Sequence, residues 1–161
     1  MSAFWDFSVK VYGAGGVKDA CLALQRAGLD VNMALWIAWL AHEGRDPAPA
    51  LGRAMALSAA WKDAVVAPLR AARDALKPAP GFVPESEAVA LRRRVLDAEL
   101  EAERMQQEAL AELATRCPPA EGSAGKALCL ERLRAYAARL NAAGAPLPVF
   151  ADTVFLGLEN R

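Results

Sequence analysis

From Val31 to Ala41 the chain is apolar at every position except Asn32, reading VNMALWIAWLA. A surface helix needs only an apolar stripe, whereas a helix that is apolar all round must be enclosed. As a helix this run rises about 16 Å, well short of the roughly 30 Å of a bilayer core, so no transmembrane segment is expected. The first expectation is therefore a fold assembled around one central helix.

What encloses it is expected to be helical as well. Strand-forming residues are scarce, with one Ile and two Thr in 161 residues, and alanine is abundant. At 55% hydrophobic and 24% charged, the chain reads as one globular domain, residues 1–161, large enough to bury its own core. Residues 1–84 carry nine Lys/Arg and seven Asp/Glu, net +2; residues 85–161 carry ten and twelve, net −2. Neither half has the basic excess of a typical nucleic-acid binder or of a module drawn to anionic lipid. Cys21, Cys117 and Cys129 form an odd set without CxxC spacing, and there is one histidine. That argues against a disulfide framework and against a zinc site, and it suits reduced thiols in a cytoplasm. Asp6 interrupts the first apolar segment and no basic stretch precedes it, so a secretory signal is not expected.

The pattern predicts a first helix capped by Ser2 and ending near Tyr12, a second over about Val17–Ala27 stopped by Gly28, and a third from Val31 capped by Asp30. Asp46 and Pro47 open a fourth, and Trp61, Val65, Leu69, Ala72 and Leu76 stripe a fifth, with a kink expected at Pro68. Residues 1–77 thus form an aromatic-rich half, and the proline-rich segment 78–84 is a linker. Residues 85–143 read as a long helical hairpin. Its first arm runs from Glu85 to about Arg116 and its second over about Lys126–Ala143. Residues 144–161 are too apolar to be loose and read as a docking tail. The fold class is all-α: a compact multi-helix bundle with a long antiparallel helical hairpin and a short C-terminal docking helix.

Candidate chemistry has a structural reading beside each functional one. Asp30 and Asn32 could contact a ligand in a pocket lined by Trp36 and Trp39, which share a face with Asn32, and by Trp61. The simpler reading makes Asp30 a helix cap and Asn32 a buried amide joined to a neighbouring helix. His42, near Glu43 and Asp46, could be a general base, but its place in the last turn suits a partly charged imidazole at the negative helix end. Asp97, Glu99, Glu101, Glu103, Glu108 and Glu112 invite a di-carboxylate metal reading, yet no helix offers the Glu-x-x-His pair, and nearby arginines make a solvated, salt-bridged face simpler. Gly122–Lys126 resembles a phosphate loop but lacks the preceding glycine and the following Ser or Thr. Arg70, Arg73, Arg92, Arg93 and Arg94 could meet RNA, but no aromatic residues interleave them. No metal and no cofactor is expected.

FWDFSVKVY at 4–12, ACLALQ at 20–25, GLDVN at 28–32, the helix from Trp61 through Pro68-Leu69-Arg70 to Lys77, and ELEAERMQQ at 99–107 together carry a resemblance. Over roughly residues 4–115 the chain resembles a family of uncharacterised proteobacterial proteins, known as a domain of unknown function. The link between Gln25 and Gly28 is one residue shorter than that pattern. The resemblance implies a small, cytoplasmic, all-helical protein and transfers no catalytic residue.

The expected function is non-catalytic: a helical module that binds a protein partner or self-associates. Its expected surface is the small-residue seam Ala98, Ala102, Met105 and Ala109, with Phe150 and Phe155 of the tail. The alternatives are a small-molecule-binding protein or enzyme with a pocket at Asp30, Asn32, Trp36, Trp39, Trp61 and His42, and an RNA- or ribosome-associated factor.

Overall fold

A computed structural model describes residues 1–159 and is all-α, with eight α-helices and no strand among those residues. They are α1 (Ala3–Tyr12), α2 (Val17–Arg26), α3 (Val31–His42), α4 (Leu51–Trp61), α5 (Ala67–Ala75), α6 (Glu85–Leu113), α7 (Gly125–Arg139) and α8 (Leu147–Glu159). The chain divides into two compact units, residues 1–55 with 107–161, and residues 56–106. None of the described helices is long and apolar enough to cross a membrane.

In the larger unit α3 is the hub. Every residue from Asn32 to Ala41 is buried, and full burial of a large apolar side chain such as Trp36 or Ile37 contributes about 1.5–3 kcal/mol. α7 packs most extensively on α3, with α1 and α2 on other sides, and α8 lies on α2 and α7. The C-terminal helix therefore docks as its apolar pattern implies. Cys129, Leu133, Tyr136 and Ala137 of α7 are buried in this unit, whose α7 packs chiefly on α3 and α8. α3 needs cover on every side, and the buried face of α7 supplies much of it.

The ends of these helices follow local rules. The Asp30 carboxylate accepts from the Asn32 and Met33 amides and caps α3. At the end of α2, Gly28 sits at φ 93°, and the Gly28 and Leu29 amides donate to the carbonyls of Gln25 and Leu24. Gly44 at φ 68° closes α3 the same way, with the Arg45 amide donating to Leu40. Both positions lie in the left-handed region, where glycine carries no Cβ penalty. Past Gly44, Arg45 forms an isolated antiparallel bridge with Pro119, and the Asp46 amide donates to Pro118.

The smaller unit is itself a two-helix hairpin. The end of α4 and α5 run down one arm, the turn at 76–84 reverses the chain, and α6 returns. Trp61 donates its indole N–H to the Ala102 carbonyl at 2.9 Å, and Arg70 and Arg73 reach Glu99. The long helix thus has an antiparallel neighbour before it in sequence, across the proline-rich turn. Between α4 and α5 a π-turn spans Lys62–Val66, where the Ala67 amide donates five residues back to Lys62. Pro68, in the first turn of α5, has no N–H, and the looser turn before it accommodates the break that a sharp kink would otherwise express.

Asp46 fixes the entry to α4. Its carboxylate accepts from the Ala48 amide and takes both Arg132 Nε and Nη2, at 2.7 and 3.0 Å. Burial would raise this carboxyl's pKa, but the Arg132 bonds and charge outweigh it and hold it below the ordinary 3.8. A pKa lowered in the folded state gives stability that is full above the unfolded value, fades below it, and is gone under the folded one. Urea denaturation across pH should therefore show wild type losing stability below about pH 4 more steeply than Asp46→Asn, with the two curves converging in acid.

Candidate functional site

The polar groups of Asp30, Asn32 and Trp36 meet protein partners. Asn32 Oδ1 accepts from Gln107 Nε2 at 2.8 Å, joining α3 to the last part of α6. The Asp30 backbone amide donates to the Tyr136 hydroxyl at 3.0 Å, so the start of α3 is tied to α7. Trp36 is fully buried and donates its indole N–H to the Leu110 carbonyl at 2.8 Å. Trp39 stacks on Phe4, with ring centroids 5.3 Å apart. One acceptor in this region stands alone: Gln107 Oε1 is buried with no donor.

The six residues of the expected pocket do not form one cluster. Asn32 and His42 stand ten residues apart on α3, about 15 Å along its axis. His42 is exposed at the helix end, with the rings of Phe7 and Phe155 at 5.8 and 6.4 Å. Trp61 belongs to the smaller unit, where Ala102 occupies its indole N–H.

The acidic run on α6 splits in two. Glu101 is exposed and paired with Arg104 one turn on, which holds its carboxyl below the usual range. Glu99 is only 3% exposed in its side chain, and its two oxygens take Arg70 Nε at 2.8 Å and Arg73 Nη1 at 2.6 Å. Arg70 also reaches Glu103 at 3.1 Å. The expectation of a uniformly solvated face therefore fails at Glu99, whose partners come from α5. A buried carboxylate without such partners would cost several kcal/mol. Here it is matched by two guanidinium groups, and those arginines are engaged inside the protein. Among the described residues no group of three or more His, Cys, Asp or Glu side chains is placed to hold a metal ion.

The seam expected on α6 divides likewise. Ala102 is buried beneath Trp61, Ala109 is half-buried, and Ala98 and Met105 are exposed. Phe150 is fully buried and fills the core, while Phe155 is half-buried against His42. Leu91 is 44% exposed and Met105 50%. With Ala98 they stand seven residues apart, two helical turns each, along one flank. Glu99 and Gln107 are buried as well, each against a partner from a distant part of the sequence. A signal for the first existed: Glu99, Ala102, Gln106, Leu110 and Leu113 step by three and four residues along the buried face.

A family model described as a protein of unknown function (DUF2390) matches residues 3–110, about two thirds of the chain. The chain belongs to that family. The DUF2390 match takes in α1 to α5 and most of α6, and so includes Asn32, Gln107, Glu99 and both arginines that hold it; α7 and α8 lie beyond it. No curated protein and no solved structure matches.

Two measurements check the polar interior. Asn32→Ala strands the Gln107 amide and should lower unfolding free energy by about 1–3 kcal/mol, while a double change to leucine at both positions should cost less than the sum of its single changes. The three thiols are buried and unpaired by disulfide. Burial pushes Cys21 and Cys129 up to about 12 and Cys117 to about 11. Because the thiolate is the reactive form, a colorimetric thiol reagent at pH 8 should find no fast-reacting group in the native chain and three in denaturant.

Proposed function

We propose that this chain acts without catalysis, as a helical module that recognises another helix along the exposed flank of α6. The observation that carries the reading is the row Leu91, Ala98 and Met105, exposed at seven-residue spacing on one face of a 29-residue helix. Such a row is the pattern by which helices meet side by side. The competing readings have less support. Asn32 and the indole N–H groups of Trp36 and Trp61 are bonded within the protein, which weakens the pocket reading. Arg70 and Arg73 are held by Glu99, which removes two of the five arginines a nucleic-acid surface would use. Three buried free thiols suit a reducing, cytoplasmic compartment.

A photo-crosslinking amino acid placed at Ala98 in the native host should yield a covalent protein adduct of defined mass. The adduct should disappear when Met105→Glu is added and should be absent when the probe sits at exposed Lys18. An uncoupled chain at position 98 overturns the reading.

A further inference from the structure

The two-helix unit leaves apolar surface uncovered for a physical reason. Helices in proteins are stabilised chiefly by packing an apolar face, and two helices alone can cover only one side of each other. In residues 56–106, α5 has no fully buried residue, and the fully buried α6 positions are Ala88, Glu99, Ala102 and Gln106. Leu91 and Met105, about 21 Å apart along the axis, are left on one flank with exposed Ala98 midway between them. Ala98 is one residue from the centre of α6. A small residue at the middle of such a row lets a second helix approach closely.

The charges beside this row select the occupant. Exposed Arg94 and Glu101 lie on the same flank, one on each side of Ala98 along the axis, and Glu101 also holds Arg104 of its own helix at the exposed surface. If a second copy of α6 lay parallel and in register, Arg94 would face Arg94 and Glu101 would face Glu101. Turned antiparallel about Ala98, it places Arg94 beside Glu101 of the second copy twice over, and Leu91 opposite Met105. Like charges in apposition oppose association and unlike ones favour it, so the pattern is self-complementary in one orientation. One apposition is unfavourable, Glu87 near Glu108, but Glu108 already accepts from the Ser2 amide and hydroxyl at 3.0 and 3.1 Å. The geometry points to a second copy of this chain as the partner: an antiparallel homodimer, twofold about Ala98, in which two hairpins complete a four-helix bundle. This rests on the proposed role of the α6 flank and names its occupant.

Sedimentation of the full chain at tens of micromolar should show a dimer, and Met105→Glu should convert it to a monomer with unchanged helical circular dichroism. Arg94→Glu should weaken the dimer at least tenfold, and Arg94→Glu combined with Glu101→Arg should restore it. Under mild oxidation Ala98→Cys should link to itself, Leu91→Cys alone should not, and a mixture of Leu91→Cys with Met105→Cys should form the mixed dimer. A monomeric wild type, a self-linking Leu91→Cys, or a charge swap that fails to restore association overturns the homodimer. An in-cell adduct at position 98 with a chain of different mass also overturns it, yet leaves the helix-recognition reading standing. Absence of any adduct removes both.

Discussion

Enclosing α3 is the constraint on which the larger unit depends. A ten-residue run buried from Asn32 to Ala41 cannot sit against one neighbour, so α1, α2, α7 and the end of α6 are all drawn around it. Enclosure brings a second demand, because the helix ends have backbone donors and acceptors that also lose water. Asp30 and the left-handed glycine at 44 meet that demand at the two ends. The Tyr136 hydroxyl and the Trp36 indole then turn potential penalties into ties between α3 and the helices around it.

The smaller unit works on different physics. With few large side chains buried, its arms are held by an indole-to-carbonyl bond and by an ion cluster around Glu99. Buried ion pairs often contribute little net stability against an apolar alternative, since desolvation consumes the Coulomb gain. They do penalise misalignment heavily, because sliding one arm by a turn would leave Glu99 buried without its guanidinium partners. The cluster therefore sets register more than it adds stability.

Much of this was legible in the sequence. Helix starts at Ser2, Asp30 and Asp46 and the stop at Gly28 follow from local hydrogen-bond chemistry, which depends on a few adjacent residues. The central place of α3 follows from composition alone. Partner choice was harder, because several helices carry similar apolar faces and periodicity does not say which two meet. The α6 seam illustrates it: spacing identified Ala98, Ala102, Met105 and Ala109 as one row, yet Trp61 covers Ala102 and leaves Ala98 and Met105 open. Gln107 was illegible for a related reason, since a buried amide declares itself only when its partner, tens of residues away, is known. Spacing puts Glu99 on the buried face but does not name the arginines that pair it.

The π-turn at 62–66 has a geometric consequence for that ion cluster. At about 100° per residue, an unbroken α-helix would put Arg70 half a revolution from Trp61 and Arg73 about 120° away. Absorbing one extra residue rolls the helix back by about 100°, which leaves Arg73 within about 20° of Trp61 and Arg70 within about 80°. The turn before Pro68 is therefore a phase shifter: it lets one continuous arm present its indole and its guanidinium groups to the same side of α6.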